Sequence, residues 1–224
     1  MKILVIGDEK RWEMLNQKGF GEHEAEWHND IHTVQGWERF DWVIDLVLDD
    51  HYQHLSTYIL YPELPVLGCT VKMSLDDVWP LLGKAREKNV FGANFLPGFI
   101  DRNSLEVSAA AGGSTEKLDK FLSSLQWPYE VVKDEVGMVA ARVVCMIINE
   151  AYNTAGEGTA SREDIDISMK LGTNYPYGPF EWAEKIGIKN VYELLSAVHQ
   201  RTGNERYAIS EYLQQAYEAA VKVG

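Results

Sequence analysis

The chain has 224 residues and a formal net charge of -13, with 46% of its residues apolar. That length permits one large domain or two modest ones, with a sizeable core either way. The acidic balance opposes nonspecific binding to nucleic acid or anionic membrane, and the longest apolar runs, such as 42–48, are far too short to cross a bilayer.

Lys2–Ile6 is a short apolar run ending in Gly7, the pattern of a buried parallel strand. It is too short for a secretory signal. Arg11–Gln17 has helical character, Glu24–His28 reads as a short strand, and Asp41–Leu48 as another with buried character. Asp50–Leu60 reads as a helix stopped by Pro62, followed by a strand at Pro65–Cys69. Ser74 is the expected cap of a helix over Leu75–Leu82, with Asp76 and Asp77 in its first turn. Val90–Leu96 and Ser104–Ala109 read as strands, Ser114 as the cap of Glu116–Leu125, and Tyr129–Lys133 as a last strand. Strands alternating with helices indicate a parallel α/β sheet.

After about Val136 only helices are expected: Gly137–Ala155, Ser161–Leu171, Pro179–Ile186, Val191–Arg201 and Ile209–Val221. Ser161 caps the second of these with Glu163 and Asp164 behind it, Gly172 is its expected stop, and Pro179 suits a first helical turn. The change of pattern places a domain boundary near Asp134–Gly137, giving domains of 1–135 and 136–224.

The run Ser161-Arg-Glu-Asp-Ile-Asp-Ile-Ser-Met-Lys-Leu-Gly172, then Tyr175-Pro-Tyr-Gly-Pro-Phe-Glu181, resembles the signature of the 3-hydroxyacyl-CoA dehydrogenase C-terminal domain. The preceding Asn149-Glu150-Ala151 and Gly156-Glu157-Gly158 fit the same stretch. The close match covers roughly Val136–Ile188. More weakly, Asp41–Asp50, Pro65–Trp79 and Val90–Val107 resemble segments of the family's nucleotide-binding half. Between Gly7 and Asp41 the chain is far shorter than the family's unit. The resemblance implies a reduced Rossmann-like parallel sheet domain, degenerate in its NAD-binding features. An all-α helical domain, similar to the 6-phosphogluconate dehydrogenase C-terminal domain and serving dimerisation, would follow.

The family binds NAD through G-x-G-x-x-G, where the second glycine lets the backbone approach the pyrophosphate and the third packs helix on strand. Here the run is Gly7-Asp8-Glu9-Lys10-Arg11-Trp12. Only Gly7 remains as a cofactor-binding residue, with Glu9 and Trp12 replacing glycines. The resemblance likewise implies a histidine base assisted by glutamate, plus a serine and an asparagine. Asn94 stands in place of the histidine, Val71 in place of the serine and Ala141 in place of the asparagine, while Glu106 and Arg142 keep the family's residue types. Ser74 is a candidate shifted substitute for the serine.

The leading expectation is therefore a divergent member without normal hydride transfer, with no bound cofactor, possessing a homodimeric helical domain and able to take an acyl-CoA or a protein partner. One alternative is an active NAD-dependent 3-hydroxyacyl-CoA (3-hydroxybutyryl-CoA) dehydrogenase of fatty-acid metabolism. Another is a non-enzymatic dimeric interaction module. No metal site is expected: His51 and His54 are spaced i, i+3 beside Asp49 and Asp50 but lack a third ligand, and read as a solvated helix start. His23, His28, His32 and His199 read as surface residues, and Lys84, Arg86 and Lys88 as a solvated turn. Cys69 and Cys145 form no CxxC motif, and a reduced, cytoplasmic protein is the simplest reading.

Overall fold

A computed structural model of the chain describes residues 1–83, 89–109 and 115–223. It folds as two compact units, Met1–Met138 and Val139–Gly224. The expected cap Ser114 and the basic residues Lys84, Arg86 and Lys88 lie outside the described residues.

The first unit is an α/β layer structure. Its strands are β1 (Lys2–Ile6), β2 (Glu24–His28), β3 (Trp42–Asp45), β4 (Val66–Cys69), β5 (Val90–Ala93), β6 (Leu105–Ser108) and β7 (Tyr129–Val132). They form one sheet in the order β2-β1-β3-β4-β5-β6-β7. All neighbours are parallel except β5 and β6, which pair antiparallel through Gly92 with Ser108 and Ala93 with Val107. Helices α1 (Glu9–Lys18), α2 (His54–Tyr58), α3 (Leu75–Leu81) and α4 (Glu116–Ser124) lie between strands. The route from β2 to β3 uses two single-turn 3₁₀ helices, Ile31–Thr33 and Trp37–Arg39, in place of a long helix. One face of the sheet buries Leu4, Ile6, Val43 and Val66 against Leu55, Trp79 and Trp37. Trp42 stacks on Phe121 of α4 at a centroid distance of 3.9 Å and an interplanar angle of 4°, an aromatic pair that adds to the area it buries.

Several local expectations are corrected. The apolar run 41–48 is a strand only as far as Asp45, because the Asp45 carboxylate accepts the Val47 N–H (3.0 Å) and turns the chain. Leu46 and Leu48 remain fully buried in that turn; a buried turn and a buried strand leave the same apolar signature. Asp50–Leu60 yields only the short α2. Ser74 does not cap α3 with its side chain. Its hydroxyl donates to Asp134 (3.1 Å), and Asp134 accepts the Leu75 (3.2 Å) and Asp76 (2.9 Å) amides, so the cap comes from the far end of the unit.

The second unit holds α5 (Ala140–Gly156), α6 (Arg162–Thr173), α7 (Pro179–Ile186), α8 (Ile188–Thr202) and α9 (Glu211–Val223). The Asn149 side chain ties α5 to the α8–α9 connection, donating to Ala208 O (3.0 Å) and accepting from Ser210 N (2.9 Å). Ser161 caps α6 through the Asp164 amide (3.1 Å). Gly172 is not the stop: α6 continues to Thr173 and ends on Asn174, which takes the left-handed conformation (φ 55°) that asparagine tolerates.

Candidate functional site

In an open α/β sheet, ligands bind outside the carboxyl ends of the strands where the strand order reverses. Here that point is β1/β3, since β1 leads outward to β2 and β3 leads the other way to β4. Gly7 ends β1 with both backbone groups committed. Its N–H donates to His28 O (3.1 Å), and its carbonyl accepts the Trp27 indole N–H (2.9 Å). A Cβ built on Gly7 would lie 2.8 Å from Leu46 Cβ, so the glycine admits the chain's own leucine. Gly68 does the same for Leu48, whose Cδ2 would be 2.2 Å from an added Cβ. Trp12 stacks on Trp27 (5.9 Å, 2°) and on Phe20 (6.0 Å). The N-terminus of α1 carries its own anion: the Asp8 carboxylate accepts the Arg11 amide at 3.0 Å. Glu9 is exposed in the first turn beside it.

A charged network that sequence reading did not find closes this end. Arg11 is 4% exposed, and its guanidinium donates to Leu46 O (2.6 Å) and to Asp50 (2.9 Å). Lys72 pairs with the other Asp50 oxygen. The neighbouring Asp49 accepts the Lys72 amide (3.0 Å) and the Cys69 thiol (3.3 Å), while its Oδ1 is buried with no hydrogen-bond partner among the described residues. The two aspartates shift oppositely. Burial pushes the Asp49 carboxyl up, and Lys72 only partly offsets it. Burial also acts on Asp50, but Lys72 and Arg11 together outweigh it and hold its carboxyl below the usual range. Burial, reinforced by Asp49, pushes the Cys69 thiol well up, so Cys69 is a poor nucleophile. The only signal available in sequence was the adjacent Asp49-Asp50 after a buried run, which demands counter-charges without naming them.

A second unforeseen cluster corrects the reading of His54 as solvated. His54 Nδ1 lies 2.7 Å from the fully buried Asp45, which also accepts the Tyr58 hydroxyl at 2.6 Å. His51 stacks on His54 at 5.4 Å. Among the described residues no group of three or more His, Cys, Asp or Glu is placed to hold a metal ion.

Of the candidate catalytic residues, the structure brings Asn94 and Glu106 together. Asn94 is buried; its Nδ2 donates to Glu106 Oε2 (3.3 Å) and its Oδ1 accepts Leu96 N (3.4 Å). Val71 is buried after β4, its carbonyl accepting Gly137 N at 2.6 Å. Ala141 is buried on α5 in the second unit, and Arg142 beside it lies over the Tyr207 ring (5.7 Å).

The long motif of the helical unit explains itself structurally. The Asp166 carboxylate accepts the Phe180 (2.8 Å) and Glu181 (3.2 Å) amides and so caps α7 from α6. Gly178 makes room for it, since an added Cβ would lie 2.3 Å from Asp166 Cγ. Glu181 accepts Gly178 N (2.9 Å) and pairs with Lys170 (2.5 Å).

The profile of the "3-hydroxyacyl-CoA dehydrogenase, C-terminal domain" matches residues 137–222. The 3-hydroxyadipyl-CoA dehydrogenase of Escherichia coli K12 is 43% identical over 112 residues, covering 49% of this chain and 24% of that protein. The 3-hydroxybutyryl-CoA dehydrogenase of Bradyrhizobium diazoefficiens is 31% identical over 169 residues, covering 74% of this chain and 57% of that protein. The chain belongs to the 3-hydroxyacyl-CoA dehydrogenase family. It spans about a quarter of the first relative's length and little more than half of the second's. The crystal structure of (S)-3-hydroxybutyryl-CoA dehydrogenase from Ralstonia eutropha shares the dehydrogenase fold. Its TM-score is 0.76 at 17% identity, with 98% of this chain and 94% of that one covered. Among the described residues, no helix is long and apolar enough to cross a membrane.

Proposed function

We propose that this family member does not carry out nicotinamide-dependent hydride transfer, and that it keeps the fold to bind an acyl-CoA or a protein partner. The observation that carries this reading is the filled switch-point crevice. A dinucleotide needs a close backbone approach at the first turn and open amides at the helix N-terminus. At Gly7 that approach is taken by Leu46 and the Trp27 indole, and the helix amide by Asp8. Asp8 and Glu9, both exposed at the start of α1, add negative charge there, while the charge of Asp50 is taken up by Arg11 and Lys72. The residues present do not fit the cofactor. Asn94 supports the same reading, because an amide does not accept a proton near neutral pH.

The test is thermal stability with NADH, acetoacetyl-CoA and free CoA in parallel. A ligand at about 100 times its Kd stabilises the fold by about 2.7 kcal/mol. NADH is expected to leave the melting temperature unchanged at millimolar concentration. A clear rise with NADH would overturn the reading in favour of an active dehydrogenase; a rise with the CoA compounds alone would support acyl-CoA binding.

We further propose a homodimer assembled through the helical unit. On α6, Ile167 and Leu171 are 52% and 82% exposed and lie i, i+4 on one face, followed by exposed Tyr175. Such an apolar strip is costly to leave in water. Light scattering at micromolar concentration is expected to give twice the chain mass, and Leu171→Arg to shift it to the monomer. A monomeric wild type would end this reading.

A further inference from the structure

Asp45, His54 and Tyr58 form a cluster that neither the cofactor reading nor the dimer reading uses. Asp45 closes β3 and is fully buried. Its Oδ1 accepts the Val47 amide (3.0 Å), and its Oδ2 accepts the Tyr58 hydroxyl (2.6 Å). Burial, reinforced by Asp45, pushes the Tyr58 phenol well up, so it stays protonated as a donor. The same Oδ2 lies 2.7 Å from His54 Nδ1. A carboxylate only accepts, so in the neutral ring the proton sits on Nδ1 and the lone pair on Nε2. Nε2 has no hydrogen-bond partner among the described residues and is not closed off from solvent; the side chain is 14% exposed.

Among the histidines this arrangement is particular to His54. Both ring nitrogens of His23 are engaged, by the Met1 amino group and by Ser124. Both of His28 are engaged, by Thr33 and Glu26. His199 Nε2 faces Glu205 at 3.6 Å. His32 and His51 are exposed, and among the described residues neither ring meets a carboxylate. His51 stacks on His54 at 5.4 Å, so it samples the same surroundings without the buried anion.

An imidazole with its tautomer fixed, its lone pair outward and an anion behind it is suited to attack a carbonyl carbon, because the anion stabilises the positive ring that forms. The surroundings select the electrophile. Asp49 and Asp50 lie just upstream and the whole chain carries a net charge of -13, which disfavours an anionic phosphoryl donor and leaves an uncharged acyl donor.

We propose that His54 Nε2 accepts acyl groups from small uncharged activated donors, such as aryl esters, and passes them to water, with Asp45 as the positioning residue. With 4-nitrophenyl acetate, the Nε2 lone pair forms a bond to the carbonyl carbon. The ester C–O bond breaks, and 4-nitrophenolate leaves with its electron pair. The acylimidazolium keeps its Nδ1 proton towards Asp45. Water then cleaves the N–C bond, giving acetate and the neutral imidazole, with two protons passing to solvent.

The test uses the whole chain and two probes. Diethyl pyrocarbonate, a carbonyl donor that leaves a stable histidine adduct, is followed by peptide mass mapping. His54 is expected to react about tenfold or more faster than His51 and His32, the scale of one hydrogen bond to a charged group. Accessibility alone would give the reverse order, since His51 and His32 are the more exposed rings. The preference is expected to vanish in denaturant, a comparison that needs no variant. Release of 4-nitrophenolate is expected to exceed that of N-acetylhistidine at equal concentration and to lose that excess in His54→Gln. Asp45→Asn, shown to be folded by its melting curve, is expected to slow labelling of His54 by about tenfold and leave that of His51 unchanged. Labelling of His54 no faster than His51, nitrophenolate release unaltered by His54→Gln, or undiminished labelling in folded Asp45→Asn would each overturn the proposal. So would rapid labelling without nitrophenolate release above the N-acetylhistidine rate.

Discussion

With NADH and acetoacetyl-CoA as substrates, the protein is expected to turn over at least about 10²–10⁴-fold more slowly than a relative with a histidine base, the usual contribution of a positioned proton acceptor. The expectation rests on two separate features. Asn94 is fixed between Glu106 and the Leu96 amide, and its amide accepts no proton near neutral pH. The cofactor crevice is filled by Leu46, Trp27 and Asp8, so poor occupancy multiplies the loss. The two features are distinguished by Asn94→His. That substitution returns an imidazole next to Glu106, a carboxylate that could orient it. It does nothing at Gly7, and it is expected to restore little activity. Initial rates of NADH oxidation on wild type and Asn94→His settle the matter. Strong turnover by the wild type would mean the active site lies elsewhere in the chain. Rescue by the single substitution would mean that a nucleotide pocket persists despite Asp8 and Glu9.

What the sequence made legible, and what it hid, divides by the range of the interaction. The elements set by local chemistry were readable. Pro179–Ile186 is marked by its N-terminal proline, Ser161 by the acids behind it, and β1 by an apolar run stopping at a glycine. The α/β alternation followed from the same short-range patterns. Features set by a distant partner were not readable. Asp134 caps α3 from 58–60 residues away in sequence. Arg11 reads as an ordinary helix cation, and only the fold shows it buried on Leu46 and Asp50. The run 46–48 has the composition of a strand and the conformation of a turn, because what it packs on, Gly7 and Gly68, comes from two other strands. The same reasoning applies to the site. Substitution at position 94 or 141 is visible in sequence, but the filling of a crevice is a statement about which side chains converge.

That convergence leads to the largest stability effect expected in the sheet unit. Arg11→Met is expected to destabilise the protein by about 3–5 kcal/mol, the usual cost of removing one partner from a buried ion pair. It strips the Leu46 carbonyl of its donor and leaves Asp50 paired with Lys72 alone among the described residues. The adjacent aspartates should then respond in opposite directions. The Asp50 carboxyl is held low by its cations. Its contribution is thus fully present above the unfolded-chain value of about 3.9 and is lost as pH falls through its lower folded value. Asp50→Asn should destabilise at neutral pH. The Asp49 carboxyl is raised by burial, so its ionised form suits the fold less well than the unfolded chain. That cost grows as pH rises from about 3.9 through the folded value and persists above it. Asp49→Asn keeps an acceptor for the Lys72 amide and the Cys69 thiol, and is expected to be neutral or stabilising at pH 7. Its advantage should fade as the pH is lowered. Denaturant unfolding of the four proteins at several pH values measures all of this. Equal midpoints for wild type and Arg11→Met, or a strongly destabilised Asp49→Asn at neutral pH, would show that the network does not hold this end of the sheet closed.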